Sequence, residues 1–228
     1  MKQITLNAPF SVKGKGLHTG MVIEAEFLPA PDNHGYKFQR TDLEGEPVID
    51  ALAENVIHTE RGTVIARGEV SVSTIEHAMA ALYAAGIDNV LIRINGAEMP
   101  ILDGSAREIS EKIQSVGVVS QNENKDYYIV KQKLEVRDDA TGASILVLPD
   151  DDFSIDVKIQ FDSPVIPNQF ASLDVIDNFD KDIASSRTFV FVREIEPLVK
   201  ANLIKGGDLE NAVVIYDQTM EQPQLDKL

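Results

Sequence analysis

Alternation of apolar residues with polar or small residues marks the start of the chain. It covers residues 3–12 and 21–28, and the glycine-rich segment KGKGLHTG lies between these two stretches. Such alternation is typical of strands that have one buried face. The segment PAPDNHG at 29–35 predicts a turn, and the strand-like segment YKFQRTDL follows it. The chain is therefore expected to open with β-strands joined by short turns.

The apolar spacing changes to a helical period further along the chain. Ile75, Met79 and Leu82 stand at positions i, i+4 and i+7, and Gly86 follows as a stop signal. This pattern predicts a helix over about 75–85, whose many alanines favour close packing against another element. The segment NVLIRI comes next and is typical of a strand.

A second helix is predicted from Ser105 to about Val116, and Gly117 marks its end. Ser105 and Glu108 have the Ser-x-x-Glu spacing of a capping box, in which two side chains satisfy free N–H groups of the first turn. Asp103 precedes this helix, and we interpret it as a capping residue rather than as a carboxylate behind a metal ligand.

The strongly polar segment SQNENKD at 120–126 is the predicted boundary between two domains, 1–121 and 127–228. The order of elements then begins again, with strands near 127–137, 143–148 and 153–161, a helix at roughly 177–186, a strand in RTFVFV, a helical piece around Pro197 and a strand in NAVVIY. The predicted fold is α+β, with two related two-layer sheet-and-helix domains packed helix to helix. The second domain reads as incomplete, because no second long helix follows its last strand.

The amino-acid composition excludes several classes of partner and of metal site. The formal net charge is −16, from 37 acidic and 21 basic residues, which disfavours nucleic acid and anionic membranes as partners. No apolar segment approaches the ~18 residues of a membrane span, and the amino terminus lacks the layout of a signal peptide. We expect a cytoplasmic protein with no integral membrane segment. Cysteine is absent, so any metal would need His, Asp or Glu ligands.

Glu76 and His77 stand side by side in the first turn of the helix at 75–85, and two interpretations are open. In the first, Ser73 and Glu76 form a capping box and His77 is a partly buried histidine. In the second, the helix dipole helps to keep His77 neutral for metal binding, and Glu76 takes a proton from a metal-bound water. A catalytic zinc usually takes three protein ligands, yet the sequence has no His-x-x-His, His-x-x-x-His or His-x-x-x-Asp. The spacing of these residues alone does not decide between the two interpretations.

Four segments, in chain order, closely resemble the zinc-dependent UDP-3-O-acyl-N-acetylglucosamine deacetylases of bacterial lipid A synthesis. They are GKGLHTG (14–20), STIEHAMAALYAAGIDNVLIRINGAEMPILDGSA (73–106), SRTFVFVREIEPL (186–198) and LIKGGDLENAVV (203–214). Matches of this length are far more specific than a short motif. The resemblance implies hydrolysis of the N-acetyl group of a UDP-3-O-acyl-N-acetylglucosamine substrate, with Zn²⁺ as cofactor.

The resemblance also implies the roles of individual residues. Glu76 would be the general base and His77 the first zinc ligand. Thr188 would help to stabilise the oxyanion, with Phe189 beside it at the substrate pocket, and Phe161 would stack on the uracil ring. The positions that would form the acyl-chain passage are Val192, Ile195 and Lys205 to Asp208, which include Gly207.

The family's second and third zinc ligands lie in a His-x-x-x-Asp motif, and this motif and the histidine that acts as general acid have no counterpart in these 228 residues. By motif, His18, His34 and His58 do not replace them: we assign His18 to a loop at the site's periphery, His34 to a solvated turn and His58 to a loop. We therefore interpret the chain as the amino-terminal part of such a deacetylase, inactive or nearly so by itself. Some family members are fused to a hydroxyacyl-acyl-carrier-protein dehydratase.

The alternative function is that of a non-catalytic relative, which binds nucleotide sugar or acyl chains or serves as an interaction module. The incomplete second domain also predicts self-association, because an apolar face that lacks its covering helix tends to be covered by another copy. Lys13 and Lys15 are candidates for attracting a diphosphate in this acidic protein. Gly206-Gly207 precedes a strand rather than a helix, so it predicts a passage wall or a simple loop.

Overall fold

A computed structural model of the chain describes residues 1–217 and 221–225. The elements of the first half are β1 (Lys2–Leu6), β2 (Phe10–Lys15), β3 (Val22–Pro29), β4 (Tyr36–Arg40), β5 (Val48–Asp50), β6 (Val56–His58), β7 (Val64–Arg67), β8 (Val70–Ser73), α1 (Glu76–Ala84), β9 (Val90–Ile94), α2 (Arg107–Val116) and β10 (Val118–Asn124). Those of the second half are β11 (Leu134–Arg137), β12 (Ser144–Val147), β13 (Ile155–Gln160), β14 (Asn168–Leu173), α3 (Phe179–Asp182), β15 (Phe189–Phe191), α4 (Val192–Lys200), β16 (Val213–Ile215) and α5 (Gln222–Leu225). The mixture of small sheets and helices confirms the predicted α+β class.

The largest sheet has the strand order β2-β3-β9-β4-β5 and is antiparallel except where β9 meets β4. Its side chains alternate as the sequence predicted, and β3 buries Ile23, Ala25 and Phe27 on one face. Strands β6, β7 and β8 form a separate antiparallel sheet, and β1 pairs with β10. The segment 3–12 is therefore not one strand, because β1 and β2 belong to different sheets.

One continuous apolar core joins the largest sheet to α1 and α2. The small side chains of Ala78 and Ala81 are fully buried on α1, as expected for a helix that packs closely against its neighbours. On α2 the buried face includes Ile109 and Ile113, four residues apart. The second half adds Leu173, Phe179 and Ala184 to the same core.

The polar segment at 120–126 forms much of β10, which pairs with β1 from Leu6↔Val118 to Lys2↔Asn124. Its side chains are mostly exposed, so polar residues can occupy the strand while the backbone is paired. A domain boundary near this segment stays a prediction.

The strands of the second half form three separate pairs. The pairs β11–β12 and β13–β14 are antiparallel, whereas β15–β16 is parallel. The helix predicted at roughly 177–186 is shorter in the structure, where a 3-10 turn at Ile176–Asn178 leads into α3. Within the described ranges, every helix is too short or too polar to cross a membrane.

Candidate functional site

The turn between β8 and α1 places Glu76 and His77 at the start of the helix. Thr74 is buried and has φ +58°, which turns the chain sharply before α1 begins at Glu76. The predicted capping box is wrong, because the residue that caps α1 is Ile75 and no side chain caps the helix. The Ser73 hydroxyl instead donates to the carbonyl of Ala97 at 3.1 Å. Ser73 still belongs to the strand, so its side chain is directed away from the helix.

Among the described residues, one backbone N–H holds the Glu76 carboxylate. The backbone N–H of Thr63 donates to its Oε2 at 3.0 Å. The preceding residue, Gly62, has φ +151°, a backbone conformation that residues with a side chain rarely adopt. Glu76 and His77 are both half-buried. The site therefore contains a positioned carboxylate beside an imidazole, and no described residue donates a hydrogen bond to the Oε1 atom of Glu76.

The loop at 59–63 contacts both halves of the molecule. The Nε2 atom of His18 lies 3.0 Å from the carbonyl oxygen of Arg61, and its buried Nδ1 has no hydrogen-bond partner among the described residues. Since a carbonyl only accepts, this contact requires the proton on Nε2. The Arg61 guanidinium donates to Glu194 Oε1 at 2.8 Å, and this hydrogen bond lowers the pKa of the Glu194 carboxyl. The loop placement predicted for His18 is confirmed.

Glu98 is a buried residue of this region that the sequence patterns did not single out. Its Oε1 accepts from the His18 N–H at 2.8 Å, and its Oε2 accepts from the N–H and the hydroxyl of Thr19 at 2.9 and 2.7 Å. The signal in the sequence was a lone acidic residue in the apolar run AEMPIL, where a charge needs compensating partners.

Thr188 lies where the two halves meet. Its N–H donates to the carbonyl of Gly104 at 2.7 Å, and its own carbonyl accepts from Val213 at 2.9 Å. Gly104 has φ +84°, and a Cβ at this residue would lie 1.9 Å from the carbonyl oxygen of Asn211. Arg187 adds a hydrogen bond of 2.7 Å to the carbonyl of Asp103. Backbone contacts thus fix Thr188 against the turn before α2, although no hydrogen bond joins it to Glu76 among the described residues.

The start of α2 differs from the predicted capping box. The helix begins at Arg107, and its cap residue Ala106 makes no side-chain cap. Asp103 accepts from the N–H and hydroxyl of Ser105 at 3.1 and 2.7 Å, and the Ser105 hydroxyl accepts from the Arg107 N–H at 3.2 Å. Asp103 therefore stabilises the turn ahead of the helix, and Glu108 does not pair with Ser105.

The structure brings the two predicted aromatic site residues together. The rings of Phe161 and Phe189 lie 5.3 Å apart at 87°, and both contact Phe191 in edge-to-face arrangements. The guanidinium of Arg193 lies over the Phe191 ring at 4.4 Å from its centroid. Phe189 is the most exposed of the three rings. The cluster thus offers aromatic surface at the edge of the second half.

The residues predicted to form the acyl-chain passage lie on α4 and on the loop that follows it. Val192 is buried and Ile195 half-buried on α4, whereas Lys205 and Gly207 are exposed. The Lys205 N–H donates to the carbonyl of His18 at 3.3 Å. The loop therefore packs on the turn that carries His18, and its role in a passage stays a prediction.

The other basic candidates make no hydrogen bond or ion pair with Glu76 or His77 among the described residues. His34 directly follows the turn at Asp32 and Asn33, as predicted, but it is half-buried, whereas His58 lies on the exposed strand β6 rather than in a loop. Lys13 pairs with Glu24 at 3.6 Å, and Lys15 lies 3.9 Å from Asp208. Across the described part of the chain, no three His, Cys, Asp or Glu residues are close enough together to hold a metal ion.

Known proteins match this chain over nearly its whole length. A family model described as LpxC, UDP-3-O-acyl N-acetylglycosamine deacetylase, matches residues 3–226. The bifunctional enzyme LpxC/FabZ of Bacteroides thetaiotaomicron is 60% identical over 100% of this chain and 50% of that protein. The enzyme of the same name from Porphyromonas gingivalis is 57% identical over 100% of this chain and 49% of that protein. The UDP-3-O-acyl-N-acetylglucosamine deacetylase of Myxococcus xanthus is 40% identical over 97% of this chain and 70% of that protein. The chain thus spans about half the length of the bifunctional relatives.

Proposed function

Because the chain belongs to the LpxC family of UDP-3-O-acyl-N-acetylglucosamine deacetylases, we propose that it carries the general base of such an enzyme. The reaction is hydrolysis of the N-acetyl group of UDP-3-O-acyl-N-acetylglucosamine in lipid A synthesis. The observation that supports it most directly is the pair Glu76 and His77 at the start of α1, with one Glu76 oxygen bound by the Thr63 N–H at 3.0 Å.

Glu76 and Thr188 have separate tasks in this proposal. Water adds to the acetamide carbonyl carbon while Glu76 accepts its proton, and the Thr188 hydroxyl donates to the oxyanion that forms. The C–N bond then breaks as the leaving nitrogen takes a proton from a general acid, a role that the family resemblance gives to a histidine with no counterpart in these 228 residues, and the nitrogen leaves as an amine. The products are acetate and a UDP-linked glucosamine that keeps its O-acyl chain.

The same proposal assigns substrate contacts to the second half. The uracil ring stacks on Phe161, for which the edge-to-face contact with Phe189 provides support at 5.3 Å. The acyl chain lies along Val192 and Ile195 and past the loop that contains Lys205 and Gly207. Its apolar character fits the side chains of α4, since burial of methylene groups is the main favourable contribution for such a ligand.

Zinc dependence belongs to the proposal, with His77 as one ligand. A catalytic zinc takes three protein ligands, and the described residues contain no such group. The described residues therefore do not by themselves fit a zinc site, and the steps above use protein groups only. We propose that a polypeptide of these 228 residues binds Zn²⁺ weakly and is inactive or nearly so by itself.

The test uses a chimera in which these 228 residues replace the matching segment of the Bacteroides thetaiotaomicron relative, which is 60% identical. We expect the chimera to release acetate from UDP-3-O-acyl-N-acetylglucosamine, and Glu76→Gln to lower kcat by about 10²–10⁴-fold, because the general base is lost. Glu24→Gln, an exposed carboxylate on β3, is the matched control and should leave kcat unchanged. An active Glu76→Gln chimera would overturn the role of Glu76.

The isolated 228-residue polypeptide provides the second arm of this test. We expect less than one equivalent of tightly bound zinc by elemental analysis, and no acetate release above background. Stoichiometric zinc and robust acetate release from this polypeptide would contradict the proposed dependence on further ligands.

The second candidate function is binding of acyl chains or nucleotide sugar without catalysis. An apolar cavity of about 260 Å³ favours it, between α1 and the β13–β14 hairpin, lined by residues that include Ala80, Tyr83, Val157 and Phe179. Saturable binding of a fatty-acyl probe to the 228-residue polypeptide, together with an inactive chimera, would favour this function over the deacetylase.

We also propose that the chain is cytoplasmic and that it self-associates. The described hairpins of the second half expose large apolar side chains, among them Val136, Ile145 and Phe170. Exposed apolar surface of this kind favours a second copy of the chain as cover. Sedimentation of the 228-residue polypeptide should show a concentration-dependent dimer, and a monomer at all concentrations would contradict this expectation.

A further inference from the structure

Glu98 is a carboxylate buried in the first half, with neutral donors as hydrogen-bond partners. It is 1% exposed and follows the turn that leads out of β9. Removing a charge from water costs free energy unless hydrogen bonds replace the lost hydration. Here four donors do so: the His18 N–H, the Thr19 N–H, the Thr19 hydroxyl and, at a longer 3.4 Å, the Thr74 hydroxyl. The four donors come from two different segments of the chain.

The first of these segments is the turn that leads into α1. Ser73 forms a parallel bridge with Glu98, which places the carboxylate beside Thr74. Thr74 is β-branched, buried and has φ +58°, a combination that persists only where surrounding contacts hold it. Thr74 lies two residues before Glu76, so any change in this turn changes the direction in which the Glu76 carboxylate leaves the helix.

The second segment is the turn of residues 16–20. Gly16 approaches Glu98 so closely that a Cβ would lie 2.3 Å from Oε2. On its other side the turn holds the loop after α4, because the carbonyls of Leu17 and His18 accept from Gly206 and Lys205 at 3.0 and 3.3 Å. The ring of His18 also contacts the carbonyl of Arg61, whose loop supplies the N–H that binds Glu76.

We infer that Glu98 is a positioning residue of the proposed deacetylase, which fixes the Glu76 turn relative to the loop of Lys205 and Gly206. Both oxygens accept from the turn of residues 16–20, and Oε1 also accepts from Thr74 at 3.4 Å, so a single side chain links the turn before the general base to the turn that holds the loop assigned to the acyl chain. This inference rests on the proposed function for its catalytic meaning. The linkage between the segments is a property of the fold and can be measured without catalysis.

The first experiment compares amide hydrogen exchange in the 228-residue polypeptide and in its Glu98→Gln variant. The substitution keeps the size of the side chain but presents an NH₂ group to an N–H donor, so one charge-assisted hydrogen bond is lost. We expect exchange about tenfold or more faster at His18, Thr19, Lys205 and Gly206, since such bonds contribute that much protection. Exchange in α2, which does not contact Glu98 through these bonds, should stay within about twofold of the parent rate.

Thr19 offers a milder pair of variants on the same linkage. Thr19 is exposed, so Thr19→Val should fold while it removes the 2.7 Å hydroxyl contact to Oε2. We expect faster exchange at the same four amides, those of His18, Thr19, Lys205 and Gly206, in Thr19→Val, and recovery in Thr19→Ser, which restores the hydroxyl. The matched control is Glu24→Gln on β3, which should change neither segment.

The second experiment measures kcat and KM in the chimera with the Bacteroides thetaiotaomicron relative. Misplacement of the base lowers kcat, and we expect Glu98→Gln and Thr19→Val to lower kcat by about tenfold or more and by a few fold, respectively, with Thr19→Ser near the parent value. Equal acceleration of exchange in α2 and in the two segments would reduce Glu98 to a residue for general stability and overturn the inference. Local exchange without any change in kcat would also overturn it. An inactive parent chimera would overturn the proposed function. Unchanged exchange in Glu98→Gln would overturn only the linkage that Glu98 is proposed to make.

Discussion

The two halves of the chain bury their apolar residues very differently. In the first half Phe27 and Phe38 are fully buried between sheet and helices. In the second half Val136 and Ile145, on paired strands of a hairpin, are 69% and 67% exposed. A two-stranded hairpin with no covering layer is marginally stable at best. The first half therefore supplies most of the stability of the described structure, and the second half depends on its attachments to it.

Those attachments include buried side chains, close backbone packing and an ion pair. Leu173 and Phe179 enter the core of the first half, Gly104 packs against the backbone of Asn211, and Arg61 pairs with Glu194. Leu173 is the last residue of β14, whereas Gly104 accepts from the Thr188 N–H, and Arg61 lies in the loop whose Thr63 N–H binds Glu76. The site residues Thr188 and Glu76 are thus fixed by the same contacts that join the halves, which makes the junction the most informative place to perturb.

Core truncation should give the largest effect and shows whether the first half carries the stability. Phe27 is fully buried and stacks on Phe10 with ring centroids 4.6 Å apart. We expect Phe27→Ala to lower the free energy of unfolding by about 3–5 kcal/mol, from lost burial and the cavity that remains. Urea unfolding followed by circular dichroism measures this change.

Ile145→Ala is the control for the second half, because its side chain is 67% exposed. We expect a change within about 0.5 kcal/mol. Equal losses of unfolding free energy in Phe27→Ala and Ile145→Ala would contradict this difference between the halves, since the hairpins would then contribute as much stability as the core.

Gly104→Ala should give the next largest effect, at the backbone junction of the halves. The added Cβ would lie 1.9 Å from the carbonyl oxygen of Asn211, and Gly104 has φ +84°. We expect a loss of about 2–3 kcal/mol, because the contact forces the backbones apart as well as straining the turn at Gly104. Gly142→Ala shares a positive φ of +74° but meets no atom within 4 Å, and it should cost about 1 kcal/mol. Similar losses of unfolding free energy in Gly104→Ala and Gly142→Ala would mean that the two halves do not pack closely at Gly104.

Local pattern predicted the first half of the fold more completely than the site. Alternation identified β3, and the apolar period identified α1, because burial on one face imposes these periods. Local pattern did not predict how α1 begins, because β8 extends to Ser73 and the backbone turns at Thr74. A positive φ at a threonine leaves no trace in hydrophobic periodicity, and tertiary contacts determine it.

The site itself was predicted through resemblance and completed by geometry. Glu76, His77 and Thr188 are predictions from the matched segments, whereas the contacts of Glu98 and of the Thr63 N–H are visible only in the folded chain. A backbone N–H donor is independent of residue type, so no sequence pattern could have identified Thr63. Glu98 was detectable in principle as a charge in an apolar run, but its partners come from residues about 80 positions away.

The ion pair between Arg61 and Glu194 should give the smallest effect, and its pH dependence sharpens the comparison. The pKa of Glu194 is lowered, chiefly by the hydrogen bond from Arg61, against the opposing effect of burial. A lowered folded pKa contributes stability above the ordinary carboxyl value of 4.5, and this contribution is lost as pH falls through the folded pKa. We expect Glu194→Gln to cost less than about 1 kcal/mol at pH 7, because Arg61 is half exposed and solvent screens the pair.

The difference between Glu194→Gln and the parent chain should shrink on acidification below about pH 4.5, and it should shrink at neutral pH when salt is added. Urea midpoints at several pH values measure it. Glu196→Gln is the matched control, because Glu196 pairs with Lys200 at 2.6 Å within α4 and does not cross between the halves. Exchange of the amides at 59–63 should therefore rise in Glu194→Gln and stay unchanged in Glu196→Gln. Equal exchange in both variants would show that the loop at 59–63 is held by the first half alone, and that the ion pair adds nothing to the junction.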